Sequence, residues 1–237
     1  MNYLTQIQGH TLWRPGLSAQ AIVVDLGANR GEFSRQIIST YGCKSYAFEA
    51  NPVLAERIVG TNNLTVFNYA VAREHGKLRF RIAANDEEST IERDPTMVSP
   101  DIIEVQSVHL EKFLQSQSLP RIDVLKMDIE GAEIEVLESC SDEFLIHIGQ
   151  ASIEFHDFLG MTPPEAIDRT VKRFNSLGFT CIKIWQHAWG DALFINTKYF
   201  PRSLPQILWA KYLTRNLWGI QRVVSRSLSR PQYASTK

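Results

Sequence analysis

The segment VVDLGANRGEF, Val23–Phe33, limits what the chain can fold into more than any other. A short apolar run, AIVVD, ends in Asp25, passes through Gly27 and Gly31, and enters a helix-forming stretch at Glu32–Ser39. A strand that turns directly into a helix belongs to an open α/β sheet, whose ligand crevice lies beyond the carboxyl ends of its strands. Glycines at such a turn let the backbone approach a ligand closely. Their spacing, G-x-x-x-G, is not the G-x-G-x-x-G that cradles a pyrophosphate, so a dinucleotide is disfavoured.

The rest of the chain repeats the theme. Lys44–Glu49, Leu64–Val71, Ile122–Met127 and Ile148–Phe155 read as strands, and Pro52–Val59, Ala132–Leu137 and Pro164–Leu177 as helices. Pro52 suits a first helical turn, where its missing N–H leaves nothing unpaired. Lys77–Ile82 and Ile102–Val108 alternate as strands around a polar loop over residues 83–100, and Phe179–Trp185 with Ala192–Asn196 make an antiparallel hairpin. Strands alternating with helices mean a parallel, doubly wound α/β sheet. The chain has 237 residues, 44% of them hydrophobic, enough for a full core. We expect a lead-in over residues 1–20, a ligand-binding domain over 21–200 and a tail over 201–237. Cys43, Cys140 and Cys181 form no CxxC pair, which favours a reducing compartment. No apolar run reaches the ~18–20 residues of a membrane span, and the N-terminus lacks the basic start and apolar core of a secretory signal. A cytoplasmic location is expected.

Glu49 follows Asp25 by 24 residues and ends the second strand. A carboxylate there can accept hydrogen bonds from both hydroxyls of a ribose, and an acid at Asp25 suits the ammonium of an amino-acid ligand. Asp25, Gly27, Asn29, Gly31, Glu49, Ala50 and Asn51 therefore outline a pocket for a ribose-bearing ligand with an ammonium group, which describes S-adenosylmethionine. A second constellation, KMDIEGAE, places Lys126, Asp128 and Glu130 where a later strand leaves the sheet at the same edge. Lys126 and Asp128 share one side of that strand by its two-residue period and so are placed to pair. Asp128 falls beside the reacting centre of a bound cofactor. Glu133 and Glu135 read as a solvated helix face. Glu154 and His156 end the next strand, and an imidazole beside a carboxylate can move a proton near neutral pH. Asp128, Glu154 and His156 could converge on a divalent ion, but their spacing alone is a weak signal, and no metal is expected. His10, His75, His109, His147 and His187 have no metal-binding spacing.

These stretches resemble the FkbM-type S-adenosylmethionine-dependent methyltransferases from about Ala21 to Asn196. The matching pieces are VVDLGANRGEFS, YAFEANP, NYAV, the Glu88–Thr90 stretch, VHLEKFL and KMDIEGAE, the last being the most specific. The resemblance implies a Rossmann-like class I methyltransferase: a seven-stranded, mostly parallel sheet with an antiparallel last strand. It also implies methyl transfer to oxygen, commonly a hydroxyl of a sugar or polyketide. His109–Leu110 stands where the family often has Thr-Leu, which bears on a local contact and not on the cofactor site. An alcohol is a poor nucleophile, so a base must take its proton as the methyl bond forms. His156 and Asp128 are candidates the sequence does not separate, with Lys126 and Glu154 beside them. A nicotinamide-dependent oxidoreductase and a non-catalytic peripheral membrane protein of the same fold are the alternatives.

The charge is unevenly spread. All 26 acidic residues lie at or before Asp191, while residues 192–237 carry 8 Lys/Arg and no acid. Ser203 to Arg230 reads as an amphipathic helix with Lys211, Arg215, Arg222 and Arg226 on one face, opposite Trp209, Tyr212, Leu213, Leu217, Ile220, Val223, Val224 and Leu228. Such a helix either lies on an anionic membrane or docks its apolar face on the domain or a second subunit; both readings stay open. The membrane reading makes a lipid-linked sugar at the inner face a candidate acceptor. Nucleic acid is not expected, because the body is acidic and a single helix offers few phosphate-directed residues.

Overall fold

The computed structural model describes residues 3–83, 89–119, 121–185 and 188–214. In chain order the strands and helices are β1 (Leu4–Ile7), β2 (His10–Trp13), β3 (Ile22–Leu26), α1 (Glu32–Tyr41), β4 (Lys44–Phe48), α2 (Pro52–Arg57), β5 (Leu64–Phe67) and β6 (Ala70–Ala72). They continue with β7 (Gly76–Arg81), β8 (Thr90–Ile91), β9 (Ile102–His109), α3 (Leu110–Ser116), β10 (Ile122–Met127), α4 (Glu133–Ser139) and α5 (Asp142–Leu145). The last are β11 (Ile148–Ile153), α6 (Pro164–Leu177), β12 (Phe179–Lys183), β13 (Ala192–Asn196) and α7 (Leu204–Trp209).

The main sheet has seven strands in the order β12-β13-β11-β10-β3-β4-β5. The pairs β3–β4, β4–β5, β3–β10 and β10–β11 are parallel, while β13 runs antiparallel to both β11 and β12. The reversed last strand is where the resemblance placed it. β10 and β11 are buried along their whole length, as parallel strands covered on both faces must be. The functional edge is the carboxyl end of β3, β4, β10 and β11.

Two departures from the sequence reading have physical causes. The strand expected over Leu64–Val71 divides at Asn68, whose side-chain amide donates to Glu49 O and Ala50 O at 2.9 and 3.2 Å. The residues beyond it join a second, four-stranded sheet, β6-β9-β7-β8. The lead-in over residues 1–20 contains a β1–β2 hairpin fastened to the domain by its side chains. Thr11 N and Oγ1 donate to the two carboxylate oxygens of Asp191, and Gln150 accepts from Trp13 N and donates to Trp13 O. The tail helix is described only in its first turns. Ile207 and Ala210 are buried against Leu4, Trp13, Ile182 and Leu193, so this part docks on the domain, and wider turns follow over Ala210–Thr214. The basic helix read beyond residue 214 lies outside the described residues, as do Glu88 and His187. No described helix is long and apolar enough to cross a membrane.

His109, at the position where the family often has Thr, caps α3. Its Nδ1 accepts from Lys112 N at 3.4 Å and its Nε2 faces Ser139 O at 3.2 Å. The imidazole thus takes over the helix-capping role a threonine hydroxyl performs.

Candidate active site

Two cavities meet at the carboxyl edge and share Gly27, Asn29 and Asp128. The first is a cleft of about 640 Å³, counting the space open to solvent. Its polar rim is Asn29, Glu49 and Asp128, Ala50 lines it beside Glu49, and Phe48, Tyr69, Val71, Phe80 and Ile91 form an apolar wall. The second, about 590 Å³ and more open, is lined by Gln8, His10, Arg30, Glu32, Phe33 and Lys126 together with the shared residues.

Glu49 is held by its own loop. Its two carboxylate oxygens accept Asn29 N–H at 2.7 Å and Asn51 N–H at 2.8 Å, each keeping a lone pair for a further donor. Burial pushes its carboxyl up to about 7, against the pull of those two N–H groups and of Lys126. Asn51 does not face the cavity; it caps α2 through Val53 N and supports Glu49 from behind. Gly31 also stands off both cavities. Its φ of +73° ends the turn as the N-cap of α1, and a Cβ there would lie 2.8 Å from Ile58 Cγ2. Gly27 lines both cavities and cannot be another residue, because a Cβ would fall 1.7 Å from Asp128 O. It locks the end of β3 against the end of β10.

Asp25 is turned inward. It was expected to reach an ammonium group, but it is 0% exposed and lines neither cavity. Its Oδ2 accepts Ser34 Oγ–H at 2.7 Å, and its Oδ1 lies 3.2 Å from Lys126 Nζ. Lys126, expected among the catalytic groups, is likewise committed. It is 4% exposed, donates to Gly27 O at 2.6 Å and Leu26 O at 3.3 Å, and lies 3.6 Å from Asp128. Burial alone would lower its pKa, but Asp25 and Asp128 outweigh that and hold it raised. Lys126 and Asp128 do pair, as their shared side of the strand required.

His156 is buried among carboxylates. Its Nδ1 donates to Glu133 at 3.0 Å, and its Nε2 lies 3.1 Å from Glu130 and 3.6 Å from Asp128. Burial opposes its charge, yet hydrogen bonds to Glu130 and Glu133 raise its pKa to about 11. Such hydrogen bonds favour the protonated ring, which is the form that holds Glu130 and Glu133. Glu133, read as a solvated helix residue, is 0% exposed. Its Oε1 also accepts from Ile129 N and Gly131 N, fixing the loop that carries Asp128 and Glu130. Asp128 is 28% exposed at the junction of the cavities. Burial would raise it, but Lys126, His10 and His156 hold it well below the usual carboxylate range. Glu154 differs from all of these. It is half-buried and lines neither cavity itself, but a carboxylate oxygen lies within 4.8 Å of His10 and Asp128 ligand atoms at the second one. Among the described residues none donates a hydrogen bond to it. Burial, with Asp128 and Glu130 nearby, raises it to about 7.

The trio Asp128, Glu154 and His156 does not converge as one set. Donor atoms of His10, Asp128 and Glu154 lie within 4.8 Å of one another, and so do those of Asp128, Glu130 and His156. At Asp128 much of the charge a metal ion would meet is already cancelled by Lys126 and His156. His10, Tyr69, Val71, Phe80, Ile91 and Glu133 escaped the sequence reading. Only NYAV, which contains Tyr69 and Val71, carried a signal.

A seven-stranded sheet of this order, with a cleft at the carboxyl ends of β3, β4 and β10 and Glu49 buried at its edge, has the architecture of the Rossmann-like, S-adenosylmethionine-dependent methyltransferases. Residues 25–181 match the methyltransferase FkbM domain. The chain belongs to that family, its methyl donor is S-adenosylmethionine, and the nicotinamide alternative falls. Among curated proteins none matches the chain. Solved structures similar to it include precorrin-6y C5,15-methyltransferase from Geobacter metallireducens GS-15, at 12% identity and TM-score 0.40 over 76% of this chain and 80% of that one. An rRNA methylase from Streptococcus thermophilus is 13% identical, TM-score 0.41, over 76% and 87%. The Methanococcus jannaschii fibrillarin pre-rRNA processing protein is 12% identical, TM-score 0.42, over 81% and 80%.

Proposed function

We propose that the chain methylates a hydroxyl of a saccharide or glycoconjugate, with the first cavity holding the nucleoside and Glu154 acting as general base. The observation that carries this reading is the polar second cleft, whose Gln8, His10, Arg30, Glu32 and Asp128 side chains suit a polyhydroxylated acceptor. The donor, when bound, supplies a sulfonium methyl group whose leaving group departs as a neutral thioether. Glu49 accepts from the ribose hydroxyls, and the apolar wall from Phe48 to Ile91 takes the base. Asp128, negative at all working pH, orients what enters the junction. The acceptor oxygen forms its bond to carbon as its proton passes to Glu154 Oε. A carboxyl near pH 7 is matched to that task, because it is largely ionised at work yet basic enough to accept the proton.

Glu154→Gln tests it: turnover should fall about 10²-fold or more, the scale of a lost general base, while affinity for S-adenosylhomocysteine stays put. In the wild type, kcat should climb with pH through about 7 and then level, because the ionised form is the active one. Unchanged turnover in the variant sinks the assignment.

The lipid-linked form of the acceptor rests on α7. Leu204, Leu208, Trp209 and Tyr212 are partly exposed, although Trp209 also packs edge-on against Tyr3, and they lie within the acid-free, basic last 46 residues. An apolar strip beside positive charge suits an anionic lipid surface.

A further inference from the structure

The β1–β2 hairpin lies outside the matched residues 25–181, yet it reaches the centre of the site. Its turn, Gln8–Gly9, has φ of +46° and +83°, the mirror-image turn that fits a two-residue hairpin. Gln8 sits there although glycine or asparagine would do so at less cost, and strain at a non-glycine residue is a reason to look for function. Among the described residues the positive-φ non-glycines are Gln8, Asn29, Ser118 and Glu130, and all but Ser118 line the two cavities. Two residues on, His10 is 4% exposed. Phe33 packs edge-on against its ring at 5.7 Å, and its Nδ1 faces Ser152 Oγ at 3.4 Å. The ring is therefore fixed, with Nε2 aimed into the second cleft at Asp128 Oδ2, 3.8 Å away. That gap is too long for a hydrogen bond and leaves room for Nε2 to donate to an oxygen entering the cleft. Glu154 completes the same triangle.

We propose that His10 binds the acceptor hydroxyl in this triangle, and that the hairpin, through His10 and Gln8, sets which hydroxyl of the acceptor reaches Glu154. The inference rests on the hydroxyl-acceptor reading above. With Nε2 donating to the acceptor oxygen, one lone pair of that oxygen is held, a second is free for the methyl carbon, and the proton faces Glu154. The sheet and its loops would then serve the donor, and the hairpin would serve the choice of acceptor.

The test is a set of methyl glycosides with free hydroxyls, offered with carbon-13 methyl-labelled S-adenosylmethionine to the full chain, to His10→Ala and to His10→Gln. The labelled position is read by NMR, and glycoside binding by saturation transfer with S-adenosylhomocysteine present. Loss of one hydrogen bond to a substrate hydroxyl should raise the glycoside KM of His10→Ala about 10- to 100-fold and spread the label over further hydroxyls. His10→Gln, which keeps an N–H donor, should stay within about fivefold of wild type, and both variants should bind S-adenosylhomocysteine as wild type does. A wild-type KM and label position in His10→Ala overturns the role of His10 and leaves the hydroxyl-acceptor reading standing. So does a His10→Gln defect as large as that of His10→Ala when both retain the nucleoside. If the wild type neither binds nor labels any glycoside, the acceptor reading itself fails and this inference falls with it.

Discussion

Lys126→Met separates a structural lysine from a chemical one. Its ammonium is the sole cation against Asp25 among the described ion pairs, at 3.2 Å, and both side chains are almost fully buried. Removing it leaves Asp25 with the Ser34 hydroxyl as its hydrogen-bond donor, and frees Gly27 O and Leu26 O from the bonds the ammonium made. Stranding one partner of a buried pair costs about 3–5 kcal/mol. For a chain of this length each kcal/mol lowers the melting temperature by about 2–4 °C, so the variant should melt roughly 6–20 °C lower. Asp25→Asn with Lys126→Met removes the stranded charge and should return about 2 kcal/mol of that loss, because neutralising the buried carboxylate ends the largest part of the penalty. The measurements are equilibrium urea unfolding and calorimetric melting of wild type, both single variants and the double. A Lys126→Met protein that melts within 2 °C of wild type but turns over about 10³-fold more slowly, well beyond what one lost hydrogen bond explains, would make Lys126 a reacting group. A double variant no more stable than Lys126→Met would refute the pairing.

Nucleoside affinity should rise with pH through about 7, because ribose hydroxyls donate to ionised Glu49. Calorimetry with S-adenosylhomocysteine in buffers of different ionisation heat should detect proton release below that pH, and Glu49→Gln should bind weakly with no pH dependence. The raised carboxyl of Glu154 favours its protonated form in the fold, so its contribution to stability is full below the ordinary carboxyl range and is lost as pH rises through about 7. Urea midpoints of Glu154→Gln should therefore gain on wild type between pH 5 and 8; parallel curves would contradict this. His156, raised to about 11, should show both ring nitrogens protonated at pH 8 in nitrogen-15 NMR, and a neutral ring there would reopen it as a base. Vesicles with anionic lipid should sediment the full chain and not a Trp209→Ser, Tyr212→Ser variant; equal sedimentation removes the membrane reading.

The alternation of strand and helix, the acids at Asp25 and Glu49, and the pairing of Lys126 with Asp128 could be read because each depends on neighbours close in sequence or on strand period. What escaped depends on contacts the sequence does not bring together. Four-residue strands such as LTQI and HTLW carry too little pattern to name, and their burial comes from Gln150 and Asp191, far along the chain. Glu133 sits in the first turn of α4, where an acid is ordinary on dipole grounds. Only the arrival of His156 from the end of β11 makes it a buried anchor. Asp25 was placed correctly at a strand end, but which way its carboxylate faces is decided by Lys126 on the neighbouring strand.

The same charges that make the site costly also make it rigid. Asp25, Asp128, Glu130 and Glu133 are held by Lys126 and His156 in one connected network, and a connected buried network fixes its members in place if each has a partner. Two strained turns hang from it. Asn29, at φ +50°, gives its N–H to Glu49, and Glu130, at φ +52°, accepts from Thr90 Oγ1 through its carbonyl at 2.7 Å. Glu154 stands beside the network without joining it. Burial lifts its carboxyl to about 7, whereas inside the network Lys126 and His156 are raised and Asp128 is lowered by their charged partners. In the proposed mechanism the proton is exchanged at Glu154, beside the charges that fix the loop carrying Asp128 and Glu130.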